Sequence, residues 1–300
     1  MKKKILIVGG TGFIGYHLAK KCLKLNWIIH SISTKKPKKK RFLKNINYIL
    51  CDISNKNLLK KKIKIKYNYV VNLGGYVNHN AKKKTYESHF TGCKNLSEIF
   101  LKNKVDTFLQ IGSSSEYGKS KSPLSEKNKC SPSSKYGKAK LLATSYLINL
   151  FKKNNFPCVV LRLFQVYGPY QDYNRFIPFI IKSCLNNAEF DCSDGNQFRD
   201  FIYVDDVVNV IIKALKNKKS KGKIINIGNG KSQKIGETIE KLRKKLHGGK
   251  PNYGAIKLRK DEMIDATPNL NLSKSILNWN AKVNFDKGLK KTINYIRKNL

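Results

Sequence analysis

The sequence predicts an α/β fold: a doubly wound parallel sheet with helices on both faces and a smaller lobe towards the C-terminus. Three observations carry this expectation. The chain opens on KILIVGGTGFIG (residues 4–15), where an apolar strand, a glycine turn and a helix start follow one another directly. Strand and helix patterns then alternate to about Gly168, the order that builds a parallel sheet covered on both faces. Beyond Gly168 the alternation loosens, as expected of a smaller unit closing over the sheet edge.

In the opening segment, Ile5, Leu6, Ile7 and Val8 form the short apolar run of a strand buried on both faces. Gly9, Gly12 and Gly15 recur at a spacing of three, and the pattern turns helical at Phe13, with Phe13, Ile14, Leu18 and Leu25 on one apolar face. In such an arrangement Gly9 permits the tight turn, Gly12 lets the backbone approach a pyrophosphate, and Gly15 lets helix pack close on strand. The helix N-terminus offers free N–H groups and partial positive charge to phosphates. A dinucleotide site at Gly9, Gly12, Phe13, Ile14 and Gly15 is expected; a glycine-rich turn without a ligand is the bland alternative.

The later elements follow in order. A second strand is predicted over 27–32, then a basic loop over 35–41, a third strand over 48–53 and a short helix over 58–65. YVVNL (69–73) is a fourth strand running into Gly74 and Gly75. A long helix covers 85–101, and TFLQI (107–111) is the fifth strand. Residues 120–133 are polar loop, 134–151 a helix, and VVLRL (159–163) the sixth strand. Further helices are expected over 175–185, 204–215, 235–246 and 287–297, with strands near Phe201 and over 224–227. The division is therefore a dinucleotide-binding unit over 1–168 and a smaller lobe over 169–300, with some elements crossing back. Ligands of such sheets bind beyond the carboxyl ends of the strands.

Composition narrows the classes. The 300 residues suffice for a sizeable core, and a hydrophobic content of 40% fits a soluble globular chain. No apolar run approaches the ~20 residues of a membrane span, and no signal peptide is read at the basic N-terminus. The seven cysteines are dispersed, without a CxxC pair, which favours reduced thiols in a cytoplasm over a disulfide framework or a zinc site. The net charge is +42, yet all but seven of the 61 basic residues are lysine. A nucleic-acid surface favours arginine for bidentate contacts. Lysine, asparagine and isoleucine are all abundant and share A/T-rich codons, so coding bias accounts for the charge without a specific nucleic-acid partner. The charge still attracts anionic substrates.

The chemistry centres on the fifth strand and the helix after the polar loop. Ser113, Ser114 and Ser115 stand at the strand's carboxyl end, and Tyr136 and Lys140 lie one helical turn apart on one face. Tyrosine is a poor acid or base near neutrality, with a reference pKa of ~10. A neighbouring ammonium and an oxidised nicotinamide favour the phenolate, and a serine hydroxyl can bridge phenol and substrate oxygen. Such a set moves a proton while a hydride moves at carbon.

With GGTGFIG (9–15), CDI (51–53), NLGG (72–75), SSSEYG (113–118), YGKAK (136–140), LRLFQVYGP (161–169) and RDFIYVDDV (199–207) in this order, the chain resembles the extended short-chain dehydrogenase/reductases, specifically the nucleotide-sugar epimerase/dehydratase group. The resemblance implies a Rossmann-type doubly wound parallel sheet with a smaller C-terminal substrate-binding lobe, acting on a nucleotide-diphosphate sugar. It implies Tyr136 as acid/base, Lys140 as the cation that favours its phenolate and holds ribose, and Ser113 as hydroxyl partner, or Ser114 if one residue is missing from the loop. Asp52 and Ile53 would meet the adenine, Leu73, Gly74 and Gly75 would line the cofactor, and Val166 would lie near the nicotinamide. Ser115 would face the substrate, and Gln165, Arg199 and Arg259 its diphosphate, with cationic and amide donors. The family also implies a homodimer through the helices over 85–101 and 134–151, and a place in cell-surface polysaccharide synthesis.

Four departures shape the expectation. Dehydratases of this group carry Asp and Glu directly after the catalytic hydroxyl; here stand Ser114 and Ser115, with Glu116 one place late. Gln165 replaces the usual Asn, and NLGG replaces LAA as a packing variant. The second strand ends in Ser33-Thr34-Lys35 without the acidic residue that holds the ribose of NAD, which favours NADP over NAD. The resulting expectation is a cytoplasmic NAD(P)-dependent 4-epimerase-type enzyme transferring hydride at sugar C4. The alternatives are an NADPH-dependent reductase of nucleotide 4-keto-6-deoxysugars and, in another class, a non-catalytic NADP-binding regulatory or nucleic-acid-binding relative. His79 and His89 read as loop or surface histidines, with contact to substrate as the alternative, and Trp279 as a packing residue rather than a sugar platform. Asp205 and Asp206 read as complements to a helix N-terminus, and no metal site is expected.

Overall fold

The structure, a computed structural model, describes residues 2–76, 82–258 and 262–300. Its strands are β1 (Lys4–Val8), β2 (Ile28–Ser33), β3 (Asn47–Leu50), β4 (Tyr69–Asn72), β5 (Thr107–Ser113), β6 (Cys158–Leu163), β7 (Gln165–Tyr167), β8 (Glu189–Asp191), β9 (Phe198–Tyr203), β10 (Ile224–Ile227), β11 (Ser232–Lys234), β12 (Lys250–Asn252) and β13 (Asp265–Ala266). Its helices are α1 (Phe13–Lys24), α2 (Lys56–Lys62), α3 (Lys82–Tyr86), α4 (Gly92–Asn103), α5 (Lys135–Asn154), α6 (Phe176–Leu185), α7 (Val204–Lys216), α8 (Ile235–Leu246), α9 (Asn271–Leu277) and α10 (Phe285–Arg297).

Seven strands form one parallel sheet in the order β3-β2-β1-β4-β5-β6-β10. The reversal of winding falls between β1 and β4, so the glycine turn after β1 opens at the switch point. The central strands are buried along their whole length, which is why they read as apolar runs rather than alternations. One face packs against Leu18, Ala19 and Cys22 of α1 and Val207 and Ile211 of α7. The other packs against Leu59 of α2, Leu96 and Phe100 of α4, and Ala143 and Leu147 of α5.

A smaller sheet, β11-β9-β13 with β7 joined to β9, carries the remaining lobe. Its core collects α6, α8 and α10 around Ile180, Ile239 and Leu289. The chain crosses between sheets more than once: β7 leaves immediately after β6, while α7 and β10 return to the large sheet. Trp279 is buried against the large-sheet core, as its packing assignment required.

One expected helix is interrupted. The single helix expected over 85–101 is instead α3, a π-helical stretch over Glu87–Thr91, and α4. A widened turn of this kind rotates the following side chains, and such turns recur at functional sites. Here it turns His89 inward: the residue is 4% exposed, not a surface histidine.

Candidate active site

The glycine turn is built for close approach. Gly9 has φ +77°, a left-handed conformation that favours glycine, and its N–H donates to the Ile32 carbonyl at 2.7 Å. A Cβ on Gly15 would stand 2.2 Å from the Gly9 carbonyl oxygen, so helix and turn meet backbone to backbone. At Gly12 a Cβ would meet only that same oxygen, at 3.1 Å, and is otherwise in open space. Gly12 also supplies no side-chain cap to α1, which leaves the first N–H groups to an anion. These features fit a dinucleotide pyrophosphate, with Phe13 and Ile14 in the first helical turn.

Neighbouring strand ends extend the cradle. Ser33 closes β2, and Thr34, Lys35 and Lys36 beyond it are exposed. Asp52 is exposed, its carboxylate accepting from the Ser54 N–H at 2.9 Å and hydroxyl at 2.8 Å, while Ile53 is buried. The Leu73 N–H donates to the Val8 carbonyl at 3.0 Å, and the Gly74 N–H to the Asn72 side chain at 3.0 Å. Asn72 also donates to Gln110 at 2.8 Å, so the NLGG variant is part of a buried polar packing pair.

Across the cradle, α5 starts at the Ser134 cap, whose hydroxyl accepts from the Gly137 N–H at 3.1 Å. Tyr136 and Lys140 then share a face. Lys140 is buried, donates to the Ile111 carbonyl at 2.7 Å, and lies 5.8 Å from the Tyr136 ring centroid. The His89 ring meets Tyr136 edge-on at 5.0 Å, forming one wall. Ser113 ends β5, and its hydroxyl accepts from the Ser115 N–H at 3.1 Å. Ser114 is buried and Ser115 half-buried. A Cβ on Gly137 would stand 2.5 Å from the Ser115 carbonyl oxygen, so the first turn of α5 rests on the serine turn. Strand end, tyrosine and lysine are thus held as one unit.

Of the residues expected to face the substrate, Gln165 and Arg199 sit on the smaller sheet. Gln165 is exposed and Val166 half-buried on β7, in register with Phe201 and Ile202 of β9. Arg199 on β9 forms an ion pair with Glu262 and donates to the Phe198 carbonyl at 2.8 Å. Arg259 and His79 lie outside the described residues.

Sequence reasoning missed several participants. Glu116 is no displaced dehydratase acid: it is fully buried and paired with Arg162 at 2.8 Å. Thr144, one turn beyond Lys140 on the same face, donates to that carboxylate at 2.9 Å; the repeat of four along the helix was the available signal. Asp206 does more than complement a helix end, accepting from the Lys282 and Val283 N–H groups at 3.1 and 2.8 Å.

Fold and cradle together define a dinucleotide-dependent enzyme of the extended short-chain dehydrogenase/reductase class. Residues 5–228 match the NAD dependent epimerase/dehydratase family, and the chain belongs to it. It is 38% identical over 135 residues to the CDP-abequose synthase of Salmonella muenchen, covering 44% of this chain and 46% of that protein. It is 27% identical to a putative UDP-glucose 4-epimerase of Methanocaldococcus jannaschii, over 98% of this chain and 99% of that one. The solved structure of a UDP-glucuronic acid 4-epimerase from Bacillus cereus, in complex with UDP-glucuronic acid and NAD, matches with TM-score 0.89 and 26% identity, covering 99% of this chain and 100% of that one. Among the described residues, no helix is long and apolar enough to cross a membrane.

Proposed function

We propose that the protein is an NAD(P)-dependent nucleotide-sugar enzyme that transfers hydride at sugar C4, working as a 4-epimerase. The observation that carries this reading is Lys140, buried beside the Ile111 carbonyl and one turn from Tyr136, at the mouth of a dinucleotide cradle. The cofactor held by Gly9, Gly12 and Gly15 supplies a hydride acceptor and donor when bound. Tyr136 takes the proton of the C4 hydroxyl, with Lys140 stabilising its phenolate and Ser113 holding the same oxygen. Return of the hydride to C4 after the ring presents its other face, with return of the Tyr136 proton to the C4 oxygen, restores the alcohol with inverted configuration. Gln165, Arg199 and Arg259 bind the substrate and its diphosphate, and Ser115 faces the sugar. The 4-epimerase names and NAD-bound structure among the relatives support this reading.

Elimination of water from the sugar is disfavoured. Serines occupy the two positions after Ser113, and the carboxylate of Glu116 is enclosed by protein. A second reading, NADPH-dependent reduction of a 4-keto-6-deoxysugar, is favoured by the exposed Thr34-Lys35-Lys36 segment, which lacks a carboxylate and suits a ribose 2′-phosphate. A homodimer through α4 and α5 also belongs to the proposal; Leu142 on α5 is 43% exposed.

Mass spectrometry of small molecules released on denaturing the purified protein separates the readings. Retained NAD supports the epimerase. An empty site that then binds NADPH well above NADH supports the reductase. Under either, Tyr136→Phe is expected to lose roughly 100-fold or more in turnover while keeping cofactor binding; unchanged turnover overturns both.

A further inference from the structure

We propose that Glu116 is a positioning residue, whose enclosed carboxylate locks the Ser113 end of β5 to the face of α5 that carries Tyr136 and Lys140. The inference rests on Ser113, Tyr136 and Lys140 being the reacting set. One carboxylate oxygen accepts from the Ser113 N–H at 2.8 Å. The other accepts from the Thr144 hydroxyl at 2.9 Å and from Arg162 Nε at 2.8 Å. Three elements therefore converge on one side chain: the strand end bearing the serine, the helix bearing the tyrosine and lysine, and the neighbouring strand β6.

The surroundings are shaped for that side chain. Gly112 lies opposite Arg162 in the β5–β6 register. A Cβ at Gly112 would stand 2.6 Å from the Glu116 carboxylate and 3.1 Å from Arg162 Cγ. Glycine before the catalytic serine thus opens the space that the carboxylate fills. The Arg162 guanidinium stacks over the Tyr117 ring at 4.6 Å, and Tyr117 in turn donates to Asn226 at 2.8 Å, so the arginine is held by the ring as well as by the carboxylate.

The geometry couples two otherwise separate contacts. Lys140 holds α5 to β5 through the Ile111 carbonyl, and Thr144 holds it one turn further along through Glu116. Two ties a helical turn apart fix both the distance and the rotation of α5 against the strand, which one tie alone leaves free. Hydroxyl, phenol and ammonium are thereby presented in one geometry before substrate arrives. Misplacement by about 1 Å in such a set costs roughly 100-fold in rate.

The test uses the full chain with NAD or NADPH and a panel of UDP- and CDP-linked hexoses, hexuronic acids and 4-keto-6-deoxyhexoses, following kcat, KM and cofactor Kd. Glu116→Gln is expected to lower kcat roughly 100-fold with KM and cofactor Kd held within about twofold. Thr144→Val, which keeps the ion pair, is expected to lower kcat roughly tenfold, and Thr144→Ser to restore it. Equal losses in Thr144→Val and Thr144→Ser, or kcat of Glu116→Gln within about threefold of wild type, overturn the proposal. So does a loss that tracks cofactor release. If Glu116→Gln does not fold, the Thr144 pair decides. Turnover that survives Tyr136→Phe, or a wild type inert on the whole panel, overturns the reacting set itself; an inert Tyr136→Phe beside fully active Glu116 and Thr144 variants overturns only the positioning role.

Discussion

Two arginine–carboxylate pairs in this molecule look alike on paper and differ in everything around them. Arg162–Glu116 has side chains 3% and 0% exposed. Its two carboxylate oxygens are both occupied, by three protein donors from three elements. Arg199–Glu262 stands near the start of β9, the central strand of the smaller sheet, with side chains 10% and 20% exposed, and its guanidinium otherwise rests on backbone carbonyls. A pair sealed on all sides has no route for exchange, because any competitor would have to displace the whole enclosure. A pair with an open side can trade its carboxylate for another anion, and a phosphate offers the same bidentate geometry. The first pair is framework; the second is suited to a ligand.

The sharpest way to break this comparison is to remove each arginine in turn. Arg162→Met leaves Glu116 buried without its cation, and a loss of about 3–5 kcal/mol is expected in denaturant unfolding. Arg199→Met leaves Glu262 with access to water, and a loss of about 1 kcal/mol is expected. Equal losses would erase the distinction between a closed and an open pair.

Ligand binding sharpens it from the other side. With UDP and CDP as calorimetric probes, Arg199→Gln is expected to weaken binding roughly tenfold by removing a charge-assisted donor. Glu262→Gln acts in the opposite sense, because it frees the arginine; a gain of about threefold is expected. Both effects should shrink at high salt. If both variants bind nucleotides as the wild type does, Arg199 is not a diphosphate ligand.

The same contrast explains what could be read from the chain and what could not. The glycine turn was legible because its demands are local: Gly9 needs its own φ, and Gly15 needs room against a residue six positions away. Tyr136 and Lys140 were legible because a helix converts spacing directly into a shared face. The structural role of Glu116, noted only as an acid one place late, was not legible because its partners come from β6 and α5, and only the β5–β6 register sets Gly112 opposite Arg162. His89 was misread for a related reason. A regular helix over 85–101 gives no hint of the π-helical stretch that carries it to Tyr136. The exit of β7 from the large sheet was equally hidden, since Gln165-Val166-Tyr167 continues the strand pattern of β6 and pairs elsewhere only because β9 is there to receive it.

A third pair falls between the two and gives the smallest effect. Arg41 is buried, with its side chain 4% exposed, but its partner Asp172 is 39% exposed. Burial alone would raise the Asp172 carboxyl, yet the hydrogen bond from Lys38 at 2.9 Å and the charge of Arg41 at 3.1 Å outweigh it and hold the carboxyl below its ordinary range. A carboxyl held below its unfolded value stabilises the fold above that value, ~3.9, and loses the contribution as pH falls through the folded value. Because half of this pair faces solvent, the contribution is screened, and less than about 1 kcal/mol is expected. Asp172→Asn should therefore lower stability slightly at pH 7 and converge with the wild type in acid. A gap that persists below pH ~3 would mean that packing of Arg41 against the Tyr170 carbonyl, rather than charge, ties the loop after β2 to the loop after β7.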